Sequence, residues 1–220
     1  RKTRGADNVF DFSLGNPDVP PPEKARETLR ALADDAIRPC GLGYMPNAGL
    51  PEFRAGLAAK LSREQGVSLE AKHVIATVGA AGALVALFRA ILEPGDEILV
   101  PAPYFVEYGF YCGHFGGRLV PVPMRGPDFA LDPEALLAAV TPRTRAILLN
   151  SPNNPTGAIY PEATLRRLAD AVDALNADRD RPLFLLSDEP YRVFAFDGAV
   201  VPPFLRLSPW AIVLGSFSKS

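Results

Sequence analysis

The sequence is poor in the residues that build disulfide frameworks and metal centres. Its 220 residues include two cysteines, Cys40 and Cys112, and two histidines, and neither type occurs at a metal-ligand spacing. A disulfide-stabilised scaffold and a zinc module are therefore excluded. The two cysteines are expected to be small core or surface residues of a protein in a reducing compartment.

An excess of one charge and a long apolar run are also lacking. The chain has 23 basic and 25 acidic residues, a net charge of −2, and no basic block, which argues against a nucleic-acid or anionic-membrane partner. No apolar run approaches the length of a membrane span, and the first residues, "RKTRGADNVFDF", contain no hydrophobic signal core. The composition predicts a soluble, cytoplasmic protein with a small-molecule partner.

Proline, in contrast, is abundant, and the prolines cluster at the ends of short apolar runs. The 23 prolines are about twice the average usage. Unbroken apolar runs, unlike alternating ones, indicate strands that are covered on both faces. There are six such runs, at 74–78, 97–100, 118–122, 146–150, 183–187 and 211–215.

Helical patterns separate many of these runs. Apolar residues recur at helical spacing over 23–36, over 52–65 before Gly66, and over 161–177. Strands alternating with helices predict an α/β fold with a mostly parallel sheet sandwiched by helices. The predicted boundary separates an N-terminal arm and part of a small domain, 1–45, from a large domain, 46–220. Arg143 and Arg145, beside the run at 146–150, are expected to be solvated.

Chemically informative residues follow the carboxyl ends of these runs, where a parallel sheet binds its ligand. After the first run, "GAAGAL" opens a helix and offers bare backbone N–H groups to an anion such as phosphate. The turn "SPNNPTG" supplies adjacent amides, Asn153 and Asn154. In "SDEPY", Asp188 directly follows an apolar run, so its carboxylate needs a partner: a structural arginine or a protonated ring nitrogen.

The last run leads into "SFSK" and thus to Lys219. A lysine beside a phosphate site can form an imine with an aldehyde. Phosphate anchor, carboxylate, amide donor, the aromatic residues of "PAPYF" and this lysine together are the set that pyridoxal 5'-phosphate requires.

Over nearly its whole length the sequence resembles the class I/II aminotransferases, which are fold-type I pyridoxal-phosphate enzymes. The resemblance rests on "NSPNNPTG", "SDEPY" and "GSFSK" in that order. It implies that 46–220 is an incomplete cofactor-binding large domain, with the rest of that domain and the small domain beyond it. It also implies a homodimer with shared active sites and a ping-pong transfer of an amino group between an amino acid and a 2-keto acid.

The resemblance assigns catalytic roles to three residues. Lys219 is implied to be the Schiff-base lysine and proton shuttle, and Asp188 the partner of the pyridine nitrogen. Tyr191 is implied to donate, together with Asn154, to the phenolic oxygen of the cofactor.

Further positions are implied to bind the cofactor or the substrate. Phosphate contacts are implied for Ser216 and the backbone of Gly79, Ala80 and Ala81, and a contact from the neighbouring subunit for Tyr44. The aromatic stacked on the cofactor ring is Phe105 or Tyr104, with the alignment favouring Phe105. In "SLGNPD", Gly15 and Asn16 are implied to line the substrate carboxylate site.

Other functions of the same scaffold stay open at this stage. "VGAAGAL" has alanines where many family members carry a hydroxyl residue, so phosphate binding rests more on backbone donors. A pyridoxal-phosphate-dependent lyase or related enzyme, and a non-catalytic cofactor-sensing regulator domain, are the alternatives to an aminotransferase. The amino donor and keto acceptor are not readable from these residues.

Overall fold

The computed structural model describes residues 19–37 and 43–219. The chain divides into two compact units, Arg1–Met45 and Pro46–Ser220. In the first unit, helix α1 (Glu23–Ala36) lies where the sequence predicts it and buries none of its residues. Glu23 in its first turn accepts a hydrogen bond from Arg26 at 2.7 Å, a surface pair at the acid-favouring end of the helix.

The second unit alternates helices and strands, and local signals explain several boundaries. Pro51, which lacks an N–H, occupies the first turn of α2, and Gly66 ends that helix with a left-handed φ of 65°. Asp132 caps α5 by accepting the Ala135 N–H. The elements are α2 (Pro51–Gln65), a 3₁₀ turn (Ala71–His73), α3 (Gly79–Ile91), β1 (Glu97–Ala102), α4 (Tyr108–Gly113), β2 (Arg118–Pro123), α5 (Pro133–Ala138), β3 (Thr144–Asn150), α6 (Glu162–Asn176), β4 (Phe184–Asp188) and β5 (Ala211–Leu214).

In the described part of the chain, five strands form one sheet in the order β2-β1-β3-β4-β5, and each pairing among them is parallel. The α/β sequence prediction is thereby confirmed. The chain moves outward from β1 to β2 and then returns to the other side of β1 to begin β3. Such a reversal opens a crevice at the carboxyl ends of the two central strands, because their following connections leave in opposite directions.

Helices cover both faces of the sheet, which explains the unbroken apolar runs. Ile147 and Leu149 of β3 face a core that includes Leu165 and Leu168 of α6. Ala146 and Leu148, the alternate residues of the same strand, face a second core that includes Phe88 of α3. Residues of both faces are fully buried, as a strand in the centre of three layers requires.

Cys112 belongs to the second core and is a free, buried thiol, in agreement with the sequence prediction. Burial raises its pKa to about 11, so the thiol stays protonated and behaves as a small apolar group. Cys40 lies outside the described residues.

The sequence prediction of a strand at 74–78 is wrong. Residues 74–77 have no strand partner within the described parts of the chain, and Ile75 and Val78 are 70% and 93% exposed. Instead, the Ala76 N–H donates to the Ala48 carbonyl, and Arg54 donates to the Val74 carbonyl. An apolar run alone does not make a strand when no neighbouring strand supplies a ladder.

Two further expectations, the burial of β2 and the exposure of Arg145, are also wrong. Strand β2 is an edge strand and is exposed or half-buried at every position except Val122, so it is not covered on both faces. Arg145 is not solvated: it lies within β3, 5% exposed, donates to the Pro182 carbonyl at 2.7 Å and sits 4.0 Å from the Asp96 carboxylate. Its charge is tolerated there because these partners replace water.

Candidate active site

The carboxyl ends of the strands surround a cavity of about 450 Å³ at the crevice between β1 and β3. This volume is typical of a small-molecule site. Segments that follow β1, β3, β4 and β5 contribute to its wall, as does the start of α3. The lining residues are Val78, Gly79, Ala80, Ala81, Leu84, Phe105, Tyr108, Tyr111, Asn150, Asn154, Asp188, Pro190, Tyr191, Ser216, Ser218 and Lys219.

Asp188 ends β4 at the base of this cavity and is 5% exposed. Its Oδ2 accepts a hydrogen bond from the Tyr108 hydroxyl at 2.6 Å, whereas its Oδ1 is buried and has no partner among the described residues. Burial raises the pKa of the carboxyl group from 3.8 to about 6, and the Tyr108 hydrogen bond partly opposes this shift. One oxygen is therefore held in place and the other is left for a ligand that can donate or carry positive charge.

Tyr108 is a site residue that the sequence reasoning missed. It begins α4, and its ring packs edge-on against Phe105 with 5.5 Å between centroids. Burial and the neighbouring Asp188 carboxylate raise the pKa of Tyr108, so its hydroxyl stays a donor throughout the working pH range. Its spacing three residues after Phe105 is the available signal, but only the folded chain brings it to a residue 80 positions away.

An amide network ties β3 to β4 at the cavity wall. Asn150, the last residue of β3, donates from Nδ2 to the Asp188 carbonyl at 2.8 Å. Its Oδ1 accepts the backbone N–H of Asn154 at 2.6 Å. Asn154 Nδ2 in turn lies 3.4 Å from the Tyr191 hydroxyl. The amide of Asn154 and the phenol of Tyr191 are thus neighbours in the cavity, with donors available to one ligand oxygen.

Asn153, in contrast, uses its side chain within its own turn. Its Oδ1 accepts from the backbone N–H and the hydroxyl of Thr156 at 3.2 and 2.8 Å. Of the two adjacent asparagines singled out in the sequence, Asn154 lines the cavity and Asn153 shapes the loop.

The start of α3 lies opposite Ser216 at the cavity wall. The first N–H groups of a helix have no partner four residues back, and Ala80 and Ala81 lie in this first turn. Gly79 has a φ of +66°, and a Cβ placed on it would lie 3.7 Å from Ser216 Oγ. Glycine is therefore required by the backbone and also keeps the gap between helix and Ser216 open.

Lys219 lies beyond β5 and lines the same cavity. Phe105 also lines it, and Tyr104, half-buried, packs with Phe105 against the core on the α3 side of the sheet. Tyr44, in the first unit, has an exposed side chain. Gly15 and Asn16 lie outside the described residues.

A buried polar cluster supports the segment between Asp188 and Tyr191 from behind. Glu189 accepts hydrogen bonds from Ser187 Oγ at 2.9 Å, Gln65 Nε2 at 3.1 Å and Arg192 at 2.9 Å. Gln65 Oε1 also accepts the Phe204 N–H at 2.6 Å. Because the carboxylate is fully partnered, the cluster can fix the path of the chain beside the cavity.

Neither a metal-ligand cluster nor a membrane-spanning helix is present among the described residues. No group of three or more histidine, cysteine, aspartate or glutamate residues among them could hold a metal ion. In the same part of the chain, none of the helices has both the length and the apolar character that crossing a membrane demands.

Many known proteins are similar to this chain in sequence or in fold, and three illustrate the similarity. A probable aspartate/prephenate aminotransferase of Thermus aquaticus is 43% identical over all of this chain, which corresponds to 55% of the relative. The aspartate/prephenate aminotransferase of Thermus thermophilus is 42% identical over 92% of this chain and 50% of its own length. A crystal structure of an amino transferase from Eubacterium rectale superimposes with a TM-score of 0.90 at 38% identity, over 97% of this chain and 54% of that one.

The chain thus spans about half the length of the curated relatives it matches. Residues 7–220 match the family described as aminotransferase class I and II. With this match, a parallel sheet of the same form and relatives above 40% identity, the chain belongs to the class I and II aminotransferase family.

Proposed function

We propose that the protein is a pyridoxal-phosphate-dependent aminotransferase that exchanges an amino group between an amino acid and a 2-keto acid. The observation that carries the proposal is the buried Oδ1 of Asp188, which has no partner among the described residues and lies in a cavity that Lys219 also lines. A carboxylate so placed suits a protonated ring nitrogen, and a lysine suits an aldehyde.

The residues present fit the cofactor at each of its polar ends. Asp188 Oδ1 would receive the pyridine N–H. The α3 N-terminus and Ser216 would hold the phosphate in the gap that a Cβ at Gly79 would narrow. Asn154 and Tyr191 would donate to the phenolic oxygen. Phe105, which lines the cavity, is preferred over Tyr104 as the residue that stacks on the ring.

When bound, the cofactor supplies an electron sink for the negative charge that forms at the substrate α-carbon. Lys219 Nζ would act as a general base that takes the proton from that carbon, and then as a general acid that returns it to the carbon on the other side of the amino nitrogen. Asp188 keeps a negative charge beside the ring nitrogen, while Tyr108 fixes the orientation of its carboxylate. Phe105 and Tyr108 form an apolar wall that limits the access of water.

The reaction would run as two half-reactions of ping-pong type. An amino acid gives up its amino group and leaves as a keto acid, and a second keto acid then receives the group. Relatives named for aspartate, three of them also for prephenate, make aspartate the first donor and prephenate the first acceptor to test. Relatives named for arginine–pyruvate and for aromatic amino acids define the next candidates.

The remaining assignments extend the proposal to the whole protein. Residues 46–220 would form part of the cofactor-binding domain, and residues 1–45 an arm with part of a small domain. A homodimer with shared active sites is proposed, in which Tyr44 reaches the phosphate in the neighbouring subunit and Gly15 and Asn16 line the substrate carboxylate site. A role in amino acid biosynthesis is proposed together with the transfer reaction, and a cytoplasmic location is proposed from the balanced charge and the low cysteine content.

A donor and acceptor screen tests the function. The purified protein is mixed with pyridoxal phosphate, and amino acids are added singly while the visible absorbance of the cofactor is followed. Bleaching by a donor and recovery with a keto acid, but not without one, is the expected result. Keto acid released continuously in the absence of an acceptor would contradict transfer and indicate a lyase.

A further inference from the structure

Asn150 makes hydrogen bonds with both ends of its side-chain amide, and both bonds lead to residues of the candidate active site. The residue is 4% exposed. Its Nδ2 donates to the carbonyl of Asp188 at 2.8 Å, and its Oδ1 accepts the backbone N–H of Asn154 at 2.6 Å. A single side chain thus bonds to the backbone of two segments that carry proposed cofactor ligands.

The position in the sheet explains why this side chain is needed. Asn150 and Asp188 are paired in register at the carboxyl ends of β3 and β4, where the backbone ladder stops. After this pair, β3 continues into the turn that contains Asn154, and β4 continues into the segment that contains Tyr191. Backbone groups at such an end need other partners when buried, and the amide of Asn150 supplies them.

The consequence for the site follows from what the two bonded residues do. Asp188 carries the carboxylate whose Oδ1 has no partner among the described residues, so the direction of this oxygen depends on the backbone that Asn150 holds. Asn154 presents its amide beside the Tyr191 hydroxyl, and its backbone is held by the other end of the same side chain.

We propose that Asn150 is a positioning residue that sets the ring-nitrogen partner, Asp188, and the phenolic-oxygen donor, Asn154, in one fixed relation. The inference rests on the proposed cofactor site and adds a residue to it. Asn150 has no cofactor-contacting role in this proposal and acts through the two residues it holds.

A purely structural role is the competing interpretation, and the chain offers a matched control for it. Asn176 makes the same pair of bonds at the opposite end of β4: its Nδ2 donates to the Leu183 carbonyl at 3.0 Å, and its Oδ1 accepts the Leu183 N–H at 2.7 Å. Loss of this amide should cost stability but should not reach the site, because Leu183 precedes the strand that Asp188 ends.

The experiment compares Asn150→Ala, Asn150→Asp and Asn176→Ala with the wild-type protein. Three quantities are measured: the melting temperature without cofactor, the dissociation constant of pyridoxal phosphate, and the pH midpoint of the visible absorbance change of the bound cofactor. Asn150→Asp keeps the shape of the side chain and the acceptor oxygen but loses the donor to the Asp188 carbonyl. This variant therefore tests the inference if Asn150→Ala does not fold.

We expect both Asn150 variants to weaken cofactor binding by about tenfold, because the cofactor must then order groups that the wild-type protein holds in place before binding. The pH midpoint should rise by about half a unit or more. The reason is that Asn154 and Tyr191, once displaced, would stabilise the deprotonated form of the bound cofactor less well. Asn176→Ala should lower the melting temperature and leave the dissociation constant and the midpoint as in the wild type.

The contrary results are distinct. Asn150 variants that match Asn176→Ala in dissociation constant and midpoint would overturn the inference while the proposed function stands. Failure of both Asn150 variants to fold, with Asn176→Ala folded, would also overturn it by assigning Asn150 to stability. A wild-type protein without cofactor absorbance would overturn the proposed function and this inference with it.

Discussion

The substitution Asp188→Asn should make the cofactor-free protein more stable at neutral pH, and it should abolish the activity of the cofactor-loaded protein. Burial raises the pKa of Asp188 from 3.8 to about 6. A carboxyl group whose pKa is raised by folding stabilises the folded state fully at a pH below its unfolded pKa, and this contribution is lost as the pH rises through the folded pKa. The shift amounts to a penalty of about 3 kcal/mol at pH 8 and roughly half of that at pH 5.

Asparagine carries no charge at any of these pH values and still offers an oxygen to the Tyr108 hydroxyl. We therefore expect Asp188→Asn to raise the free energy of unfolding at pH 8 by up to about 3 kcal/mol, and to leave it nearly unchanged at pH 4. Urea unfolding of both cofactor-free proteins at pH 4, 5 and 8 measures the difference, in which the other titrating groups cancel. A difference that is independent of pH, or a less stable variant at pH 8, would refute the reasoning.

Three further substitutions test other parts of the site. Tyr108→Phe removes the hydrogen bond to the aspartate at the end of β4, so the acid limb of the pH–rate profile should move to higher pH by about one unit or more. The control is Tyr160→Phe, which changes a buried tyrosine that donates to a methionine sulfur and should leave the profile in place. Gly79→Ala places a residue with a Cβ in a left-handed backbone conformation and points that Cβ towards Ser216. It should lower the free energy of unfolding in urea by about 1–3 kcal/mol and weaken the binding of inorganic phosphate. The control, Gly82→Ala within α3, should not lower stability. Glu189→Ala removes the buried carboxylate that accepts hydrogen bonds from Ser187, Gln65 and the half-buried Arg192, so it should lower the free energy of unfolding by about 3 kcal/mol. A loss below about 1 kcal/mol would mean that this cluster is unimportant to the fold.

The fold was predictable because its main signals are local. Five of the six apolar runs are strands, and the helix over 162–176 matches its periodic stripe, since burial on both faces or on one face leaves a pattern in consecutive residues. The run at 74–78 failed because strand formation also needs a partner, which a local pattern does not report. Arg145 failed for a related reason: its carbonyl and carboxylate partners lie far away in sequence.

The lining of the cavity was predictable where a residue type follows a strand end, and it was not predictable where a side-chain contact depends on a distant partner. Lys219, Asp188 and Asn154 are assigned from such ends and from family motifs, and they line one cavity. Tyr108 and Asn150 were missed because their hydrogen bonds to the segment around Asp188 span 80 and 38 positions. The spacing of Tyr108 from Phe105 and the position of Asn150 at a strand end mark both residues as candidates, but neither signal reveals the partner.

The central claim is that the cavity at the strand ends binds pyridoxal phosphate through Lys219. Reduction of the cofactor-loaded protein with borohydride fixes the cofactor covalently to the lysine that holds it, and peptide mass mapping locates the modification. The account predicts one phosphopyridoxyl group on the peptide that contains Lys219, absent from Lys219→Ala. A modification on Lys60 or Lys72, or none at all, would contradict it.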